Sequence, residues 1–431
     1  MARGQGNGIF WIRLVYNLLL PLVLLIGVGP WVIKMLKRGG FGSGLLERVG
    51  LYRDELDFEP SGVVYIHAVS VGEVLIALKL IAAWLENFPQ DKIVLAPTTA
   101  TGHAVAVKQA PISVRVVYSP IDLPIVVGRM LKRFEPKQIV LIESEVWPNL
   151  LAMADKRGIP ITVGNARLSA RSERRYLKLK SLVQPVFGLF SKVGVPELAD
   201  KQRWQNIGVP ANSLEVTGSI KFDQAGASAP QQRDGFKAML DSFGEDRKIV
   251  MALSTHAGEE ALIAETMIDV DALCVIVPRH AERRDEIRDD LQKLGYEVVL
   301  RSQFKQASEP TRACFVIDNT GEMRDWTAHA DVAIVGKSFL GKGGQNPTEA
   351  IAAGLPVITG PNMSNFEPLV TTLCEVKGIK KLTDASELKA AIVDSLDKNF
   401  ENPDQLDAAK QVLDLHQGAT QRTVEFLRVI S

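Results

Sequence analysis

Val63-Val64-Tyr65-Ile66-His67-Ala68-Val69-Ser70-Val71-Gly72-Glu73 is the stretch on which the reading of the fold turns. Val63–Ile66 is a short apolar run of the kind that forms a strand buried on both faces. His67–Glu73 follows as a connection in which Gly72 permits a tight turn and close backbone approach. A helical pattern then runs over Val74–Asn87. A buried strand, a turn carrying polar side chains and a helix make one β–α unit of a parallel sheet.

Working outward, the unit repeats. Ile93–Ala96, Val114–Tyr118, Gln138–Ile142, Ile161–Val163 and Glu215–Thr217 read as strands, and Pro148–Arg157 as one of the helices between them. The segment 223–234 is small, polar and non-periodic, as a linker is. The alternation then restarts, with strands at Lys248–Leu253, Leu273–Val277, Glu297–Leu300, Ala313–Ile317, Val332–Val335 and Val357–Thr359. Helices are expected at Gly258–Met267, Arg283–Leu294 and Thr348–Ala353, and a last helical region at Asp404–Val429. The expected architecture is α/β, with two Rossmann-like doubly wound domains, 39–222 and 235–403, facing a cleft. Residues 404–431 are expected to pack back on the first domain. In such sheets ligands bind at the carboxyl ends of strands.

Residues 1–38 read as a hydrophobic membrane anchor. Between Ile9 and Ile33 the one charge is Arg13, and about 20 apolar residues span a bilayer. Lys34, Lys37 and Arg38 follow at once, which places the bulk of the protein on the cytoplasmic side. Pro21 and Pro30 would interrupt a spanning helix, so a helix lying in the interface stays open.

Composition narrows the function. The 50 basic residues balance 50 acidic ones, which gives no support to nucleic-acid binding. The three cysteines, Cys274, Cys314 and Cys374, form no CxxC pair and read as buried thiols in a reducing compartment. Six scattered histidines without HExxH spacing give no zinc site, so no metal is expected.

Five constellations carry the chemistry. Glu73 suits a base that takes a proton from a sugar hydroxyl; it suits equally a first-turn residue favoured by the helix dipole. Glu143 and Glu145 stand one residue apart just after a strand, able to hold hydroxyls or a cation. Arg167, Arg171, Arg174, Arg175 and Lys178 suit anionic headgroups, against the commoner reading of a solvated helix face. Ser254, His256, Arg279 and His280 follow two strands of the second half, where helix-start amides and an arginine can hold a phosphate. Gly343, Gly344, Asn346 and Glu349 lie in a glycine loop that opens a helix, with Glu349 placed to accept hydrogen bonds from ribose hydroxyls. The loop is not a Walker A sequence.

In order along the chain, these segments resemble the 3-deoxy-manno-octulosonic acid (Kdo) transferase family of lipopolysaccharide synthesis. The likeness runs through His67–Glu73, Glu143–Asn149, Asn165–Ser169, Gly218–Asp223, Ser254–Glu260, Val277–His280, Asp318–Glu322, Gly343–Glu349 and Gly360-Pro361-Asn362. The resemblance implies a GT-B fold at the cytoplasmic face of a bacterial inner membrane. It implies metal-independent, inverting transfer from CMP-Kdo to a lipid A precursor, with acceptor binding in the first half and donor binding in the second. It makes Glu73 the base, Glu145 or Glu143 a second essential acid, and Arg279, Glu349, Gly343 and Gly344 donor residues, with Asn346 and Lys221 beside them. Gln345 stands where the family often has His, and Ala350 where Pro is common. The competing readings are a GT-B transferase that uses a UDP-sugar and a membrane scaffold without catalysis.

Overall fold

The computed structural model describes residues 8–22, 44–53, 61–223, 230–305, 312–397 and 403–429. Two compact units divide the chain: Met1–Ala225 together with His416–Ser431, and Gly226–Leu415.

The first unit is built on a seven-stranded sheet, β1 (Val64–Ala68), β2 (Ile93–Pro97), β3 (Val114–Val116), β4 (Gln138–Ile142), β5 (Ile161–Gly164), β6 (Lys192–Val195) and β7 (Leu214–Val216). All pairings are parallel and the order is β3-β2-β1-β4-β5-β6-β7. β1, β2 and β4 are buried at every position because helices cover both faces. One face packs Tyr65, Leu141, Phe134 and Trp204. The other packs Ile66, Val140, Leu80 and Trp84 with Val424 and Leu427 of the last helix. Strand order reverses between β1 and β4, which opens a crevice at their carboxyl ends.

The second unit repeats the plan with β8 (Ile249–Thr255), β9 (Leu273–Pro278), β10 (Glu297–Leu300), β11 (Ala313–Val316), β12 (Val332–Val335), β13 (Val357–Thr359) and β14 (Lys380–Lys381). Its parallel order is β10-β11-β9-β8-β12-β13-β14, and the reversal falls between β8 and β12. Cys274 and Cys314 face each other on β9 and β11 as buried free thiols. Cys374 is half-buried.

The differences from expectation have local causes. β6 is four residues long with Gly194 at its centre, where a Cβ would meet Thr217 Oγ1 at 3.1 Å. β14 is two lysines, with no apolar run to mark it. His67 lies inside β1, paired with Ala96 and Leu141, and not in the loop beyond it. The expected helical region 404–429 is two helices, Pro403–Asp414 and Ala419–Leu427. Gly418 (φ 72°) breaks it, and the Asp223 carboxylate accepts the N–H groups of Gly418 (2.9 Å) and Thr420 (2.7 Å). The chain therefore joins the first unit at His416, and the residues from 404 to 415 stay with the second.

The expected anchor lies partly outside the described residues. What is described is a helix at 8–22. Among the described residues, no helix is long and apolar enough to cross a membrane.

Candidate active site

Helix Val71–Asn87 starts with a full capping box. Glu73 Oε2 accepts the Val69 N–H at 2.7 Å, and Oε1 accepts the Ser70 hydroxyl at 2.8 Å and the Ser70 N–H at 3.3 Å. Ser70 Oγ in turn accepts the Glu73 N–H at 3.3 Å. The first-turn reading of Glu73 is thus satisfied in full. The box also fixes the carboxylate, 7 % exposed, at the carboxyl end of β1.

Three further loops bring charge to the same edge. Glu143 and Glu145 follow β4, Arg167 follows β5 and Lys221 follows β7. Glu143 takes a left-handed backbone (φ 63°), as does Asn165 (φ 54°) after β5. Non-glycine residues in this region concentrate where a site demands a particular side-chain direction. The negative charge of Glu73 acts on both of the later glutamates. Burial raises the pKa of Glu143, with the negative charge of Glu73 adding to the rise and Arg167 and Lys221 opposing it. Burial pushes Glu145 up to about 7, reinforced by Glu73 and Glu143. Lys221 is brought down to about 8 by burial and by Arg167, against the pull of Glu143. Lys221, expected beside the donor, lies in the first unit, within electrostatic reach of Glu143 and Arg167.

The cations are held by the backbone that carries them. Asn165 Oδ1 accepts the Ile220 N–H at 3.0 Å, and His416 Nδ1 accepts the Ser219 N–H at 3.2 Å, which pins the turn bearing Lys221. Asp200 accepts the Leu168 N–H at 3.0 Å, and the Trp204 indole donates to the Ala166 carbonyl at 2.9 Å, so Arg167 is fixed from both sides. Sequence reasoning missed Asn165 and His416 as positioning groups. Their roles rest on contacts 55 and 197 residues away along the chain.

The basic residues Arg171, Arg174, Arg175 and Lys178 lie on the helix Ala170–Lys178, capped by Ser169, and all four are exposed. The same helix brings Tyr176 up to the cluster. Burial, then the Glu145 carboxylate, raises its phenol pKa.

Because Glu145 is harder to ionise in the folded chain than in the unfolded one, its contribution to stability is present at acid pH. That contribution is lost as pH rises from the ordinary carboxyl range through about 7. Glu145→Gln should remove this loss. Thermal unfolding followed from pH 5 to pH 8 should show the variant gaining on the parent as pH rises, and parallel curves would refute the shift.

In the second unit, a cavity of about 480 Å³ lies at the carboxyl edge. Ser254, Arg279, Asn319, Arg324 and Glu349 are among the residues lining it. Burial raises the Glu349 pKa, opposed by Arg324 and then Arg279. Two other cavities, of about 260 and 330 Å³, share Pro356, Ser395 and Leu406 near the amino end of β13, away from that edge. The carboxyl-edge cavity is where a doubly wound sheet binds its ligand.

Of the residues expected to bind the donor, Ser254, Arg279 and Glu349 meet in this cavity. His256, His280, Gly343, Gly344 and Asn346 are not among its lining residues. His256 and His280 pack edge to face, with ring centroids 5.9 Å apart. The helix-start amide of His256, expected to hold a phosphate, is taken by the protein's own Glu259. That fully buried carboxylate accepts from the N–H of His256 (3.1 Å), Phe339 (3.0 Å), Leu340 (3.4 Å) and Lys337. Gly343 (φ 99°) and Gly344 (φ 72°) owe their lack of a side chain to the Met363–Asn365 turn: a Cβ on either would lie 2.3 Å from Asn365 or Met363. Asn346 Oδ1 accepts the Thr348 N–H at 3.2 Å, just ahead of the helix Thr348–Ala352.

A family model described as 3-Deoxy-D-manno-octulosonic-acid transferase (kdotransferase) matches residues 43–224. The 3-deoxy-D-manno-octulosonic acid transferase of Haemophilus influenzae is 33% identical over 394 residues, covering 89% of this chain and 90% of that protein. The chain belongs to the Kdo transferase family. The 3-deoxy-D-manno-octulosonic acid transferase of Bordetella pertussis is also 33% identical, over 98% of this chain and 99% of that protein. Among solved structures, UDP-GlcNAc 2-epimerase from Neisseria meningitidis bound to UDP-GlcNAc covers 85% of this chain and 99% of its own, with TM-score 0.51 and 13% identity. That likeness speaks for the fold alone. This Kdo transferase family member thus has two Rossmann-like, GT-B-like halves.

Proposed function

We propose that the protein transfers Kdo from CMP-Kdo to a lipid A precursor, with inversion, and that Glu73 is the general base. The observation that carries this reading is the meeting of Glu73, Glu143, Glu145, Arg167 and Lys221 at the crevice where the first sheet reverses. A sugar hydroxyl is a weak nucleophile and needs a fixed carboxylate to take its proton. Glu73 accepts the Val69 amide on one oxygen and the Ser70 amide and hydroxyl on the other, and a carboxylate has about four lone-pair sites, beyond the three in use. Glu145 is set by burial to exchange a proton near neutrality. Lys221 and Arg167 keep the cluster from accumulating charge.

On the donor side, Arg279 binds the nucleotide phosphate and Glu349 the ribose hydroxyls. Departure of CMP places charge on that phosphate, and fixed guanidinium groups stabilise it electrostatically. The reaction as written calls on no metal.

The enzyme works at the cytoplasmic face of the inner membrane. Support comes from the helix at 8–22, which has two faces. Arg13 and Asn17 bond to Asn149, and Ile12 packs on the core. Phe10, Trp11, Leu14, Val15, Leu18, Leu19 and Leu22 are exposed at helical spacing, Leu18 by 66%. That stripe suits a helix lying in the interface, with Arg171, Arg174, Arg175 and Lys178 taking lipid phosphates. Arg171, Arg174 and Arg175 changed together to Glu should cut sedimentation with anionic phospholipid vesicles by more than about tenfold, each cation near the surface contributing about 1 kcal/mol. Unchanged sedimentation would remove the helix from the membrane surface.

The test of donor class is incubation of the purified protein with a lipid A precursor and labelled CMP-Kdo or UDP-sugars in parallel. Label should enter the lipid from CMP-Kdo. Incorporation from a UDP-sugar in its place would overturn the reading.

A further inference from the structure

Arg324 has no place in the motifs that carry the family resemblance beyond following Asp318–Glu322, yet it lines the donor cavity. It stands on the short helix Met323–Thr327. That helix is held rigidly: buried Trp326 stacks on Phe236 with ring centroids 3.7 Å apart and meets Phe315 edge to face at 5.6 Å. The Thr327 hydroxyl ties back to the Arg324 carbonyl at 2.6 Å. Arg324 is therefore carried on a fixed base and not on a floppy loop.

The charged lining of the cavity is three guanidiniums, Arg233, Arg279 and Arg324, against two carboxylates, Asp325 and Glu349. Asp325 is engaged by Arg233. Arg279 and Arg324 both act on the single remaining carboxylate, Glu349. A cavity with surplus fixed positive charge selects an anionic ligand, and two guanidiniums match a ligand with two acidic groups. A CMP-activated 2-keto sugar acid is such a ligand. Its phosphodiester oxygen and its carboxylate are attached to the same anomeric carbon, so both acids reach one cavity together. A neutral sugar on CMP offers one.

We propose that Arg324 binds the sugar carboxylate of the donor while Arg279 binds the phosphate, so that Arg324 selects an acidic sugar over a neutral one. The inference rests on the CMP-Kdo reading above and adds to it the residue that reads the sugar.

The test compares Arg324→Met with the parent on two ligands, CMP by calorimetry and CMP-Kdo by its KM at saturating acceptor. CMP lacks the sugar carboxylate. The KM for CMP-Kdo should rise at least about tenfold, the scale of one lost charged hydrogen bond. CMP affinity should stay within about twofold of the parent, since its phosphate contacts are untouched. Arg324→Lys, which keeps the charge, should recover part of the loss, and it carries the test should the Met variant fail to fold. Equal weakening of CMP and CMP-Kdo would assign Arg324 to the nucleotide and overturn the proposal, as would no change in either. A parent protein that neither binds CMP nor uses CMP-Kdo would instead overturn the donor reading itself, which is a separate result.

Discussion

Glu73→Gln should lower transfer by on the order of a thousandfold while leaving the fold and CMP affinity close to those of the parent. A positioned general base contributes roughly 10²–10⁴ in rate, and glutamine cannot take the proton. What makes the substitution informative is the capping box. Glutamine serves at its third helical position nearly as well as glutamate: its one accepting oxygen keeps the reach back to Ser70, and the Val69 N–H is the one contact that its NH2 group cannot take. Glu73→Ala would remove base and cap together, at a cost of about 1 kcal/mol for the cap. Single-turnover rates with both variants, read beside their thermal midpoints, separate the two roles. A Gln variant that turns over within about tenfold of the parent would leave Glu73 with a structural role only.

Glu259→Ala should have the largest effect on stability, a loss of about 4 kcal/mol or more in the second unit, read by urea unfolding. The carboxylate is fully buried and gathers amides from the loop after β8 and the loop after β12, the two strands that flank the reversal of the second sheet. Truncation leaves those buried donors unpaired, at about 1–3 kcal/mol each before relaxation. CMP binding should weaken as well, because Ser254, the last residue but one of β8, lines the donor cavity. An unfolding midpoint within error of the parent would show that water or neighbouring groups satisfy the amides.

The strands were legible because most of them are apolar throughout. Gln138–Ile142, Glu297–Leu300, Val332–Val335 and Val357–Thr359 lie where the apolar runs put them. Lys192–Val195 and Lys380–Lys381 were not, since a strand held by its neighbours needs little hydrophobicity of its own. The carboxylates of the site were legible by their place just after strands. What they bind locally was less so. Glu73 caps its own helix and Glu259 fills the amides that read as a phosphate pocket, because a carboxylate in the chain competes with a ligand for the same N–H groups. Lys221 could not be placed from sequence: its position depends on Asn165 and His416, which reach the turn at 219–220 from distant segments. At Gly343 and Gly344 the glycine signal coincides with the close packing of the Met363–Asn365 turn, which no local pattern announced.

The most direct measurement of the account is mass spectrometry of the lipid recovered after incubating the protein with CMP-Kdo and a tetra-acylated lipid A precursor. The account predicts a gain of one or more Kdo units with the parent chain and none with Glu73→Gln. An unmodified lipid from an active, folded parent preparation, or full modification by the Gln variant, would contradict it.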